Sequence, residues 1–334
     1  MKLTVPRRRF LLSALSLPGV SLTASLAQSA PVRPLAETLQ VVVGYPPGGS
    51  VDLVARTLAE RLVPQYAGVA LVENKPGAAG RMAVEEVRRT APDGRTVLFT
   101  PASVVTLYPH VYRKLAYDPF SDLAPVSPVC ASCFALAVGP RVPEGVVTVE
   151  AFARWCKANP TAAQCGNAGA GSMPHLMAAL MGRELDTEFM HVPYRGGALA
   201  MQAVAAGDLA CAIGTESAAR ALYLAGKIRV LATSGAERSP FFAAAATFRE
   251  QGLPALTQRE WFGMLAPART PAANVDALAG LLRAVAREAS VRLTLEKAAL
   301  LPEVTSPAQM AAAMRHEYEF WGQVVRDSGF TPEA

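Results

Sequence analysis

Val41-Val42-Val43-Gly44-Tyr45-Pro46-Pro47-Gly48-Gly49-Ser50-Val51-Asp52-Leu53-Val54-Ala55-Arg56 holds three patterns in succession. A short apolar run ends in a Pro-Pro-Gly-Gly turn, after which Val51, Val54, Ala55, Leu58 and Leu62 fall on one helical stripe. The pattern predicts a buried strand, a tight loop and an amphipathic helix. The first backbone N–H groups of such a helix have no partner within it, and the helix dipole places partial positive charge there. An anion can dock on them. Gly48 and Gly49 let the main chain approach a ligand with no Cβ in the way, while Pro46 and Pro47 stiffen the approach and donate no hydrogen bond. Ser50 is the expected N-cap, with Asp52 in the first turn. A purely structural strand-to-helix turn fits the same residues, and they leave the two open. No Walker lysine follows, which argues against a nucleoside triphosphate loop.

Downstream the unit recurs. Val69-Ala70-Leu71-Val72 leads into Asn74-Lys75-Pro76-Gly77-Ala78-Ala79-Gly80 and then a helix carrying Met82 and Val87. Ala91-Pro92-Asp93-Gly94 closes that helix as a turn, and Thr96 to Thr100 is a third buried strand ending in Pro101-Ala102-Ser103. Strands alternating with helices predict an α/β fold, a parallel sheet covered on both faces. In such sheets ligands bind beyond the carboxyl ends of the strands, where these loops lie.

An irregular, proline-rich stretch from Tyr108 to Pro128 interrupts the alternation and is expected to lead to a second domain. The pattern then resumes with a strand from Phe134 to Val138, a helix from Val149 capped by Thr148, and a short strand at Gln164-Cys165. The glycine-rich Gly166-Asn167-Ala168-Gly169-Ala170-Gly171-Ser172 precedes a helix from Met173, and Pro193-Tyr194-Arg195-Gly196-Gly197 precedes another from Ala198. Trp261 to Ala266 is a late strand. Thr270-Pro271 and the capping box Ser306-Pro307-Ala308-Gln309 start the helices that follow. About 300 residues after a leader exceed one ordinary core. The expected division is residues 28–125 with 236–334 as one lobe and 126–235 as the other, a clamp with two crossings.

Residues 1–27 are the expected signal peptide. Lys2 and Arg7-Arg8-Arg9 precede an apolar run from Phe10 to Leu26, and Ser25-Leu26-Ala27 offers a cleavage site. Arg7-Arg8-Arg9-Phe10-Leu11 also has a twin-arginine look, so twin-arginine and general secretory export both stay open. Removing this segment takes four positive charges from the formal +5 and leaves +1, so the pI near 9 gives no reason to invoke nucleic acid. The cysteines at 130, 133, 156, 165 and 211 are odd in number, which leaves at least one thiol free or paired outside the chain. Cys130-Ala-Ser-Cys133 has redox or zinc spacing but sits in an apolar run without a second pair; buried thiols or a local disulfide are the expectations. His110, His175, His191 and His316 show no metal-ligand spacing, and neither a metal nor a cofactor is expected.

Tyr45 to Asp52, Glu73-Asn74-Lys75-Pro76-Gly77-Ala78-Ala79-Gly80 and Ala91-Pro92-Asp93-Gly94 resemble the N-terminal signatures of the Bug-type substrate-binding proteins of tripartite tricarboxylate transporters. Tyr117-Asp118-Pro119, Leu123-Ala124-Pro125-Val126, His191 to Gly196 and Trp261 to Pro267 extend the resemblance, in order, over essentially the whole chain after the leader. It implies a periplasmic, monomeric, non-enzymatic binding protein of the type II two-lobe fold, each lobe a helix-flanked, mostly parallel sheet. Such a protein captures a small organic acid and presents it to membrane permease subunits. Carried over by motif, ligand contacts would come from Pro47, Gly48, Gly49, Ser50, Asp52, Gly77 and Ala78 in the first lobe. The second would supply Gly171, Ser172, His175, Tyr194, Arg195, Gly196 and Gly197.

The sequence departs from the family pattern at Val51, where Thr is common, at Ala170, where Asn is frequent, and from Ala210 to Gly214, which lacks the usual aspartates. A carboxylate deprived of a hydrogen bond loses about 1.5–3 kcal/mol, so these changes favour either a less charged ligand or one with an apolar portion, and point to an aromatic or partly apolar carboxylate over citrate. Two alternatives remain: an exported hydrolase using Ser172 and His175, although Gly-Ala-Gly-Ser-Met-Pro is not a nucleophile elbow, and a binding protein serving a sensor rather than transport.

Overall fold

The computed structural model describes residues 36–328, 330 and 331, and no helix among them is long and apolar enough to cross a membrane. The expected leader lies outside the described residues. In chain order the elements are β1 (Ala36–Val43), α1 (Ser50–Leu62), β2 (Ala67–Asn74), α2 (Arg81–Val87), β3 (Thr96–Pro101), α3 (Ser103–Thr106), α4 (Tyr108–Val111), β4 (Leu123–Val138), α5 (Val149–Ala158), β5 (Gln164–Asn167), α6 (Met173–Glu184), β6 (Met190–Pro193), α7 (Gly197–Ala206), β7 (Cys211–Thr215), α8 (Glu216–Leu224), β8 (Arg229–Thr233), β9 (Arg259–Pro267), α9 (Ala272–Val285), α10 (Ala289–Lys297), β10 (Leu301–Pro302) and α11 (Pro307–Ser328).

The strands join in the order β2-β1-β3-β9-β4-β7-β5-β6, with β8 and β10 also paired to β4. β1 is parallel to β2 and β3, and β5 is parallel to β6 and β7. Between these two parallel groups, β9 and β4 run antiparallel to each other and to the strands they adjoin, β3 and β7. Alternate side chains of a strand point to opposite faces, and here both faces are buried. Leu39, Val41 and Val43 of β1 pack with Val54, Leu58 and Leu62 of α1 and Leu278 and Leu282 of α9. Val42 points the other way, into a core shared with Val84 and Val87 of α2 and Met314 of α11. β4 repeats the arrangement: Phe134, Leu136 and Val138 enter that second core, whereas Ala135 and Ala137 meet Met201 and Val204 of α7.

The proline-rich passage is more ordered than its composition suggests. β4 begins at Leu123 rather than Phe134 and runs for 16 residues through Pro125 and Pro128. It accommodates them because its pairing with β9 shifts register between Pro125 and Ser127 and again between Pro128 and Cys130, where the missing N–H groups interrupt nothing regular. Cys130 and Cys133 lie three apart on this strand, so their side chains leave opposite faces and cannot form the local disulfide. All five cysteines are free, with Cys130, Cys156, Cys165 and Cys211 buried.

Helix starts follow the sequence at two of four places, since α1 is capped at Gly49 rather than Ser50 and α9 at Pro271 rather than Thr270. The Thr148 hydroxyl accepts from Ala151 N–H at 3.1 Å, and at α11 Gln309 N–H donates to Ser306 Oγ at 3.2 Å while Ser306 N–H donates to Gln309 Oε1 at 3.0 Å. At α9 the cap position belongs to Pro271, whose carbonyl accepts from Asn274 and Val275. The Thr270 hydroxyl is left buried without a partner among the described residues.

Candidate functional site

The loop from β1 to α1 is held from beneath by its own helix. Gly48 takes φ +83°, a left-handed conformation suited to glycine, and Gly49 is the N-cap with φ −80° and ψ 170°. Ser50 is the first helical residue, not the cap, and no side chain caps α1. The Asp52 carboxylate turns back under the loop and accepts from Gly48 N–H at 2.9 Å, Asn74 Nδ2 at 2.8 Å and Arg56 Nε at 3.0 Å. Burial opposes ionisation of Asp52, yet the hydrogen bonds from Arg56, Gly48 and Asn74 outweigh it and hold the carboxyl below its usual range.

Three more helices start on the facing side. Before α6 the glycine-rich loop is fixed by Asn167 Oδ1, which accepts from Gly169 N–H at 3.0 Å, and by His175 Nδ1, which accepts from Gly171 N–H at 3.0 Å. Ser172 is the N-cap of α6, but its hydroxyl makes no cap bond and is buried without a partner among the described residues. α7 starts after Gly196, at φ +122° and ψ 156°, and no side chain caps it either. α8 differs, since the Thr215 hydroxyl accepts from Ala218 N–H at 3.3 Å.

Gly49, Ser172, Gly196 and Thr215 all line one cavity of about 250 Å³. Three of these four helix starts therefore have no side-chain cap among the described residues, and all four dipoles bring partial positive charge to the same place. Arg195 adds a full positive charge. Tyr45, Phe134, Leu199 and Phe262 supply apolar surface, and Glu260 is the one carboxyl group of the lining among the described residues. Such a wall suits a small carboxylate with an apolar body.

Residues 54–330 match the family described as the tripartite tricarboxylate transporter family receptor. The chain belongs to that receptor family. Protein BugT of Bordetella pertussis is 27% identical over 304 residues, which cover 91% of each chain. Two solved structures from Rhodopseudomonas palustris share the fold. Rpa4515 with adipate has TM-score 0.83 and 29% identity over 89% of this chain and 98% of its own; MatC with bound malate has TM-score 0.80 and 28% identity over 87% and 99%. The receptor is thus a solute-binding protein of the Bug type with a periplasmic-binding-protein-like α/β fold.

In this receptor Pro47, Gly48, Gly49, Ser50, Ser172, Arg195, Gly196 and Gly197 come together on the cavity wall, and the other residues singled out from sequence stand behind it. Asp52 lies under the first loop, 3% exposed. Gly77 and Ala78 lead into a turn whose Ala79 carbonyl accepts from the Tyr108 hydroxyl at 2.9 Å and the Tyr45 hydroxyl at 3.3 Å, so it backs the Tyr45 wall. At Gly171 a Cβ would sit 2.9 Å from the Tyr112 ring. His175 is buried, its ring centroid 4.4 Å from that of His191, and burial lowers its pKa. Its Nδ1 is committed to Gly171 rather than to the Ser172 hydroxyl. Tyr194 packs against the core around Met201, and its N–H donates to Asn167 O at 3.0 Å.

Tyr45, Ser103, Phe134, Thr215, Glu260 and Phe262 line the receptor's cavity without having been singled out. Thr215 had a usable signal as a capping residue before a helix, and Ser103 follows the turn at the carboxyl end of β3. Glu260 showed only as a carboxylate opening an otherwise apolar strand. Nothing local in the sequence places Phe134 or Phe262 on the wall, because β4 and β9 reach it through the sheet order.

Proposed function

We propose that this receptor captures a small organic acid between two lobes, residues 28–125 with 236–334 and residues 126–235, outside the cytoplasm after export by residues 1–27, and hands it to the permease subunits of a tripartite transporter. The observation that carries the reading is the convergence of uncapped starts of α1, α6 and α7 on one cavity beside Arg195. Backbone donors arranged this way hold a carboxylate without a paired lysine or metal. The Ser172 hydroxyl, buried with no partner among the described residues, is a further donor. Similar proteins hold adipate and malate, both carboxylates. The aromatic and aliphatic part of the wall favours an acid with an apolar body over citrate. This reading has no catalytic step.

The test is a thermal-shift screen of the purified protein against mono-, di- and tricarboxylates, aromatic acids and neutral amides. A ligand at a hundred times its Kd adds about 2.7 kcal/mol of stability. Gly49→Asp places a carboxylate at the anion seat, and the Gly49 backbone accepts a side chain, with its nearest neighbour the Pro46 carbonyl at 3.7 Å from a Cβ. The expected result is that acids, but not amides, raise Tm in the wild type and fail to do so in Gly49→Asp. Equal shifts in both proteins would overturn the proposal.

A further inference from the structure

Glu260 is out of place in an anion site. It is the second residue of β9, between the exposed Arg259 and the buried Trp261, is 5% exposed, and lines the same cavity as the helix starts. Its Oε1 accepts from Ser103 N–H at 3.0 Å, which fixes the side chain against the start of α3. Arg259 next to it is taken up by Glu303, with contacts at 2.5 and 2.9 Å, and no Lys or Arg pairs with Glu260 among the described residues. The other groups around it do not neutralise it. Glu317 of α11 is an acid that accepts from Trp261 Nε1 at 2.9 Å, Tyr45 presents a buried phenol, and His316 lies with Glu260 and Glu317 on a second cavity behind β9. Arg195 belongs to the opening of the second glycine loop and is exposed.

A buried carboxylate with no cation is unfavourable, and it can be relieved either by a proton or by a ligand group that donates to it. A second ligand carboxylate is the worst occupant, because two like charges would face each other within one small cavity. We propose that Glu260 is a specificity-determining residue that turns this site away from dicarboxylates and towards carboxylates whose other end carries an ammonium group. The inference rests on the carboxylate-receptor reading above and adds to it the chemistry of the ligand's far end. Burial pushes the Glu260 carboxyl up to about 7, despite the opposing hydrogen bonds from Ser103. The preference therefore grows with pH: above about 7 the group is ionised, attracts ammonium and repels carboxylate, whereas below that it is neutral and tolerates a second acid.

The experiment compares sets that share one carboxylate and differ at the other end: hexanoate, adipate and 6-aminohexanoate; butanoate, succinate and 4-aminobutanoate; benzoate, terephthalate and 4-(aminomethyl)benzoate. Affinities are measured by calorimetry at pH 6 and pH 8 for the wild type and Glu260→Gln, which retains an acceptor for Ser103 N–H. In at least one set the amino member is expected to bind the wild type tenfold or more tighter than the dicarboxylate at pH 8. That ratio should fall several-fold at pH 6. Glu260→Gln should remove both the preference and its pH dependence while still binding the monocarboxylate. If carboxylates bind but the dicarboxylate is equal or tighter at pH 8, or Glu260→Gln leaves the ratio unchanged, the role of Glu260 is refuted and the receptor reading stands. If no member of any set binds, both fall.

Discussion

Replacing Asp52 with alanine should disable the anion seat from behind, without touching its wall. The carboxylate is 3% exposed and ties Gly48 N–H, Asn74 Nδ2 and Arg56 to the first turn of α1. Its pairing with Arg56 is an i,i+4 contact with the guanidinium 48% exposed, which by itself contributes only about 0.3–0.5 kcal/mol. The Gly48 and Asn74 bonds end on a buried charge, where each contributes about 1.5–3 kcal/mol, less whatever water recovers in the half-buried loop. A loss of about 2–4 kcal/mol follows, or a fall in Tm of roughly 4–10 °C for a chain of this size. Gly48 would lose the acceptor that pins its left-handed conformation, so carboxylate affinity should drop several-fold as well. Arg56→Ala is the control and should lower Tm by no more than about 2 °C. Because the folded-state pKa of Asp52 is depressed, its contribution is complete above the unfolded value of 3.8 and is lost as pH falls through the folded value. The gap between wild type and Asp52→Ala should therefore be constant near neutrality and close below about pH 4. Thermal melts from pH 3 to 8 with and without a binding acid provide the assay. Equal, small shifts for the two variants, with affinity intact, would refute the reasoning.

Two further outcomes can be measured on the same preparations. Glu216 is 3% exposed, accepts from the Ser239 hydroxyl at 2.9 Å, and is pushed by burial up to about 7, with Ser239 and Arg220 opposing. Here the sign is reversed: the folded state holds the proton more tightly, so stability declines as pH rises from about 4.5 to 7, and Glu216→Gln should be more stable than wild type by about 1–3 kcal/mol at pH 8 with little difference at pH 4.5 in denaturant titrations. Burial raises the thiol pKa of Cys130, Cys133, Cys156 and Cys211, to about 11 for the half-buried Cys133. A thiol reagent at pH 8 should thus modify at most one cysteine within minutes in the native protein and all five in guanidinium; rapid native labelling of two or more would contradict the packing described.

The strand, loop and helix from Val41 to Leu62 were legible because each is written in local periodicity: apolar residues in a run, then proline and glycine, then a stripe at helical spacing. The same local grammar exposed Thr148 and the Ser306-Gln309 box. It also indicated which loops carry helix starts, and the residues at 47–50, 172 and 195–197, taken as ligand contacts from the family resemblance, do meet at one cavity. Two kinds of feature escaped it. Pro125 and Pro128 suggested irregular chain, because a proline's effect on a strand depends on whether its partner needs the missing N–H, and that is decided by β9, more than a hundred residues away. Asp52 read as a ligand residue when its acceptors were already occupied by Asn74 and Gly48, the former contributed by the end of β2. Glu260 escaped for the opposite reason, since its neighbours Ser103 and Tyr45 lie far away in sequence and only the sheet order unites them.

β4 passes without a break from the ladder with β9 to the ladders with β7 and β8. One strand is therefore a spar common to both halves of the sheet, which share it without an intervening loop. The handover falls between Cys133, the last rung to β9, and Phe134, the first to β7, while two prolines and two register shifts thin the β9 ladder before it, from Pro125 to Cys130. In the clamp proposed above, a rotation of one half against the other is a twist of this buried strand, not the bending of a loop.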